Sequence, residues 1–288
     1  MKKQAAAAEH DYSLAQLPHT RREVFFDIFR LYGGSLLRTG FILLSFALPL
    51  LICGYIRDDN ELAYLALLQE ASGAETEELY KALQFSDGLI SLFDIPGYII
   101  FSVGLSGVAR IIRQYAWEEP VNLKIDFPKG IRQNIKPYLM LGFLTGSWIL
   151  LSRYCFKGAL YAEGILVLLN ILPLFIGLLL FLPVLGYALV SNAVYSNSFG
   201  QNLRVSLVLY MKKPLMSAGI SLLLVSLLLF SDVIPLISVR MLLRIAVILT
   251  SPVLLLIWFL FCYNQMDAYI NPAYYPELVG KGFINKDD

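Results

Sequence analysis

The chain has 288 residues, of which 57% are hydrophobic and 16% charged, with a mean hydropathy of +0.64. An ordinary soluble domain carries about 25% charge, so that class is excluded. The net charge of +1 says little, because it averages two unlike faces.

Six long apolar stretches dominate, near residues 39–56, 89–112, 138–151, 165–194, 215–230 and 245–263. A bilayer core about 30 Å thick takes roughly 20 apolar residues at 1.5 Å per residue. The second and fourth stretches exceed that; the third and fifth must borrow flanking residues. Of the 23 Lys and Arg, 17 fall on the side that holds both chain ends and the second and fourth loops. The excess of Lys and Arg predicts that this side is cytoplasmic. With 11 acids on each side, the inner face sums to +6 and the outer to −5. A basic inner face suits the anionic headgroups of the inner leaflet rather than nucleic acid. The expected fold class is all-α: a polytopic transmembrane bundle of about six spans in the cell membrane, with amphipathic interfacial helices on the cytoplasmic face.

In chain order, residues 1–20 have a basic start without an apolar signal-peptide core or cleavage site. They read as a disordered tail preceding a single transmembrane domain over 21–270. In 21–38, Phe25, Ile28, Phe29 and Tyr32 recur at helical spacing beside Arg22 and Arg30. That pattern fits a helix lying in the headgroup zone, with Gly33 and Gly34 bending the chain into span one. It equally fits a cytoplasmic helix packed on the bundle. The acidic outer loop, 57–88, is expected to hold two short helices, the second capped by Thr76 with Glu77 and Glu78 in its first turn. It reads as a lid or partner surface, or as a solvated cap.

Asp94 sits about five residues into the second stretch. A charge in hydrocarbon costs a few kcal/mol or more and marks a functional candidate. Pro96 follows, so a carboxylate beside a helix break is one reading and an interfacial acid at a later helix start is the other. Arg110 and Arg113 close span two and are expected to reach lipid phosphates. After Trp117 and Pro120, a new amphipathic helix is expected from Phe127-Pro128, with Ile131 and Ile135 flanked by Lys129, Arg132 and Lys136. Gly142 and Gly146 form a GxxxG, which helix packing explains. Span four carries Asn170, Pro173, Pro183 and Asn192; two prolines free carbonyls and create the discontinuous geometry from which transporters build midplane sites. A long tilted helix is the plainer reading. Asp94, Pro96, Asn170, Pro173 and Asn192 thus form a candidate substrate or ion pathway. The third inner loop carries Leu203, Leu207 and Tyr210 in register, then Lys212 and Lys213, two further candidate lipid anchors. Asp232 lies eight residues before Arg240, with Arg244 a turn further on, so a neutralising pair at the outer mouth is one reading and simple interfacial exposure the other. The cytoplasmic tail occupies 271–288.

Some chemistries are missing from the string. It has no GxxxxGK[ST], and its two histidines are His10 and His19, before the first span. Cys53, Cys155 and Cys262 match neither a disulfide framework nor a metal site. Neither enzymatic activity nor a cofactor is expected.

The segments FFDIFRLYGG (25–34), a first span containing Pro49, GLSGVARIIRQYAWEEP, DFPKGIRQNIKPYLMLG, NLRVSLVLYMKKPL and YYPELVGKG together resemble the YesL-like family of bacterial integral membrane proteins. The motif positions are Asp126, Phe127, Lys129, Gly130, Asn134, the Lys212-Lys213-Pro214 turn, and Tyr275, Pro276 and Glu277. The acidic outer loop is longer than that family's pattern. The resemblance implies a helical membrane fold, a bacterial origin of Firmicutes type and an association with carbohydrate uptake, without an assigned activity. A transporter permease or ATPase subunit is the partner it implies.

Overall fold

The computed structural model describes residues 18, 20–70 and 72–282. The tail expected over 1–20 therefore lies almost wholly outside the described residues. Among those described the chain is helical, without a strand. Among the described residues six helices are long and apolar enough to cross a membrane.

Helix α1 spans Arg21–Glu70 and α2 spans Ala74–Ala116. At 1.5 Å per residue, the 50 residues of α1 reach about 75 Å, more than twice a hydrocarbon core of about 30 Å. This corrects two expectations. There is no bend at Gly33-Gly34, and no pair of short helices in 57–88. Both ends of α1 are continuations of one rod, and α2 returns beside it from a turn at Gly73. Helix formers such as Leu, Ala and Glu fill the expected loop, and Asn60 Nδ2 donates to Ser86 Oγ across the hairpin at 3.1 Å. Propensity and pairing carry the helices past the apolar zone.

Helix α3 covers Leu123–Tyr161. It begins at Asn122, whose side chain caps Lys124 N–H, rather than at Phe127. It runs through Pro128 and Pro137 directly into span three, so the expected interfacial helix and the span are one element. Gly142 and Gly146 let α2 approach closely: a Cβ at Gly142 would stand 2.6 Å from Ile99 Cα. The GxxxG is thus a packing seam.

Span four is built of three pieces: α4 at Ile165–Ile176, a π-helical turn at Gly177–Phe181, and α5 at Leu182–Val194. Its halves differ sharply. None of α4 is buried, whereas ten of the 13 residues of α5 are. Helix α6, Phe199–Lys212, opens on a capping box between Ser198 and Gln201 and folds back along α5. Helix α7, Pro214–Val233, and α8, Ile237–Tyr269, are spans five and six. A short helix α9, Asn271–Tyr274, and a 3-10 turn, Pro276–Leu278, follow.

The burial pattern divides the molecule into two storeys. The main buried cluster gathers Val24, Ile28 and Leu36 of α1, Val108, Ala109, Ile111 and Ile112 of α2, Phe127 and Tyr138 of α3, most of α5, Leu209 of α6 and Trp258, Phe259, Cys262, Tyr263 and Met266 of α8. These lie at the end of the bundle that carries Arg21 and the C-terminal turn, here the terminal face. Toward the opposite end, the hairpin face, the helices expose Phe41, Ile52, Leu92, Phe143, Leu168, Leu172, Leu223 and Leu242. A chain that spans lipid needs no close-packed interior there, because lipid covers apolar side chains.

Candidate functional site

The buried charges concentrate at the hairpin face. There the helix period sets which residues meet: Asp87 and Asp94 stand seven apart on α2, Arg153 and Lys157 four apart on α3, and Arg240 and Arg244 four apart on α8. Each pair therefore shares one helix face. Arg57 and Asp58 of α1 stand between the groups they produce.

The first group joins α1, α2 and α3. Arg57 Nη2 donates to Asp94 Oδ2 at 2.5 Å and Arg57 Nε to Asp87 Oδ1 at 3.1 Å. Arg153 closes on the same Asp94 oxygen, and Lys157 pairs with Asp87 Oδ2. The Asp94 side chain is 5% exposed and Asp87 11%. Buried charges of this kind are tolerated when paired and hydrogen-bonded. Asp94 is thus neither an interfacial acid at a helix start nor a bare carboxylate. It lies well inside α2, and Pro96 sits in continuous helix after it.

The second group joins α1 to α8. Asp58 accepts from Arg240 Nη1 at 2.7 Å and Arg244 Nη1 at 2.8 Å. Arg244 Nη2 reaches Asp232 at 2.7 Å, and Arg240 also donates to the carbonyl of Ile234. The neutralising pair expected with Asp232 forms with Arg244, but the acid that holds both arginines is Asp58. Gly54, one turn before Asp58, leaves room for the Arg244 guanidinium; a Cβ there would lie 2.9 Å from Nη1.

The remaining pathway residues do not converge on Asp94. Asn192 is buried in the terminal-face storey, donating to Ala188 O and accepting from Asn202 Nδ2 at 2.8 Å. It fastens α5 to α6. The buried side of α6 is Asn202, Ser206, Leu209 and Tyr210, while Leu207 and Val208 face outward. Of the residues expected in register, Tyr210 turns to protein and Leu207 away from it. Asn170 is half-buried and packs at Gly158 on α3. Pro173 lies one turn before the π-helical turn, and Trp148 Nε1 donates to its carbonyl at 3.4 Å. The Trp148 indole lies against the backbone of Gly177, where any Cβ would overlap it. Pro183 cannot donate to Leu179 O, and Tyr210 Oη donates there instead at 2.9 Å. The freed carbonyl therefore meets a protein hydroxyl.

The expected anchors divide. Arg110 is buried and bonds Gln133 Oε1 at 2.5 Å and Asp126 at 3.5 Å; Arg113 donates to Ala193 O and covers the Trp117 ring. Both are internal ties in place of lipid contacts, because protein acceptors lie within their reach. Lys212 and Lys213 are exposed, with Lys212 over Tyr269. Of the family-like positions, Phe127 fills the space opposite Gly107 and meets Phe46 at 6.0 Å between ring centroids. Asn134 is half-buried, and Lys129, Pro276 and Glu277 are exposed.

The terminal face has its own ties. Arg21 binds Asp267 at 2.6 Å and lies over the Tyr263 ring. Tyr263 Oη donates to Leu278 O, Tyr195 Oη to Asn271 Oδ1, and Tyr195 stacks on Tyr275. The C-terminal turn is so held against α1, α5 and α8. Sequence reasoning missed Arg57, Asp58, Asp87, Arg153 and Lys157; the i, i+7 spacing of Asp87 and Asp94 and the i, i+4 spacing of Arg153 and Lys157, beside the ends of apolar stretches, was the available signal.

No family model, curated protein or solved structure matches this chain. Among the described residues no group of three His, Cys, Asp or Glu is arranged to hold a metal ion.

Proposed function

We propose that this is a multi-pass protein of the bacterial cell membrane, with both termini cytoplasmic, that acts without catalysis as an accessory or scaffold beside a solute-uptake system, carbohydrate uptake being the first candidate. The observation that carries the scaffold reading is the double clamp on Asp94. Its carboxylate, the leading candidate for a transported ion or solute, is occupied by Arg57 and Arg153. Groups that move a substrate must exchange partners, and a carboxylate held by two guanidinium groups is costly to release. The orientation rests on the charge asymmetry of the loops. The link to uptake rests on the resemblance of the motif segments to YesL-like proteins.

Tagging the chain in its native host, extracting it in mild detergent and identifying what co-purifies tests this reading. A permease or ATPase subunit in fixed stoichiometry is expected, and a chain that always purifies alone counts against it. A second reading, a small-molecule transporter, draws on the π-helical turn between Pro173 and Pro183, since π-turns recur at functional sites.

A further inference from the structure

We propose that the pocket between α2 and α3 at the hairpin face binds the singly charged phosphodiester of an anionic amphiphile, with a membrane phospholipid as its source. The pocket has a volume of about 300 Å³ and is lined by Gln84, Asp87, Ser91, Arg153, Tyr154 and Lys157 among others. That is at the small end for ligand sites and suits a headgroup rather than a large solute.

Charge selects the ligand. The group around the pocket holds three cations, Arg57, Arg153 and Lys157, against two carboxylates, Asp87 and Asp94. The second group, Asp58 and Asp232 with Arg240 and Arg244, balances. One positive charge is therefore in excess at this pocket, on a face that sums to −5. Its location follows from burial: the carboxylates lie inward, whereas the side chains of Arg153 and Lys157 are 35% and 39% exposed. Arg153 uses Nη1 for Asp94 and Lys157 one donor for Asp87. Guanidinium and ammonium groups carry five and three donors, so both can bind a further oxyanion while keeping their carboxylates. A phosphodiester brings one negative charge and matches the excess; a zwitterionic headgroup adds none.

Depth and surroundings select an amphiphile. Arg153 and Lys157 lie on a helix long and apolar enough to cross a membrane, and the lining Tyr154 and the neighbouring Phe85, Leu89 and Leu92 are exposed. A headgroup in the pocket would leave its acyl chains along those side chains.

The test measures lipid retention by native mass spectrometry of the full chain, extracted in mild detergent with phosphatidylglycerol or phosphatidylcholine added. Phosphatidylglycerol should be retained at least tenfold better than phosphatidylcholine. Lys157→Gln removes the excess charge yet leaves Asp87 paired with Arg57; it should abolish that preference, whereas Lys157→Arg should keep it. Gln84→Trp, which fills the pocket mouth without touching an ion pair, should reduce retention to the same degree. Competition by millimolar glycerol phosphate separates the sources: no displacement supports a lipid, and full displacement supports the same phosphate chemistry from a soluble ester. Equal retention of both lipids, or a phosphatidylglycerol preference unchanged in both Lys157→Gln and Gln84→Trp, would overturn the proposal.

Discussion

Arg57 and Asp58 are neighbours in α1 and serve opposite sides of it. Arg57 holds Asp87 and Asp94 of α2, and Asp58 holds Arg240 and Arg244 of α8. Consecutive helical residues point about 100° apart at 3.6 residues per turn, so one dipeptide can join two neighbouring helices. Arg153 and Lys157 of α3 close on the same two carboxylates of α2, so at the hairpin face α1 is tied directly to spans two and six, and span two in turn holds span three.

Removing the charge of Asp94 leaves Arg57 and Arg153 without their shared carboxylate. Asp94→Asn is expected to destabilise the protein by about 3 kcal/mol, as for other broken buried ion pairs. Thermal unfolding in detergent measures this. Asp94→Glu should lose less, since the charge survives and only the fit changes.

The hydroxyl of Tyr210 replaces a backbone donor that Pro183 lacks. Tyr210→Phe should cost about 1 kcal/mol, the typical net worth of one hydrogen bond. In a Pro183→Ala background the same change should cost less, because the substituted alanine brings a backbone N–H that can donate to Leu179 O. A double-mutant cycle by thermal unfolding reads the difference; strict additivity would mean the two sites are independent.

A side chain at Gly177 has no room beside Trp148. Gly177→Ala is expected to lower stability by about 1–3 kcal/mol through overpacking. Trp148→Leu in the same chain should recover part of that loss.

Glu118 sits in the turn between α2 and α3 with a left-handed backbone, φ 57°. Partial burial, and then the nearby Asp27, push its carboxyl above the ordinary carboxylate range. A raised acid favours the folded state when protonated, so its contribution is present below the unfolded value near 4.5 and is lost as pH rises through the folded value. Glu118→Gln should therefore be more stable than the native chain at pH 7 and equal to it near pH 4, by thermal unfolding at the two pH values.

Much of the fold is legible in the sequence because lipid imposes a coarse rule: a long apolar run must be helical and must cross. That rule finds six spans and stops there. It says nothing of where a helix ends once outside hydrocarbon, which is why the continuous 50 residues of α1 read as an interfacial helix, a span and a loop. Local sequence could not decide this, since Gly33-Gly34 permits a bend without requiring one. Asp94 stood out because it interrupts an apolar run. Its partners did not, because Arg57, Arg153 and Lys157 fall just past the ends of apolar stretches, where charge is ordinary. Asn192 was misplaced for a related reason: apolar composition continues through α5, but there the apolar side chains meet protein instead of lipid.

The sidedness is open to cysteine accessibility. Ser72 lies at the turn between α1 and α2, and Ser198 caps α6; both are exposed. Ser72→Cys should react with an impermeant reagent in intact cells and Ser198→Cys only after lysis. The reverse pattern would invert the assignment of faces.

The most direct test of the scaffold reading is solute flux through the purified chain in proteoliposomes, compared with its Asp94→Asn variant. No carbohydrate flux above protein-free vesicles is expected for the native chain alone, and a loss of thermal stability is expected in the variant. Flux by the native chain that disappears in Asp94→Asn at unchanged stability would contradict it, and would make Asp94 part of a transport site.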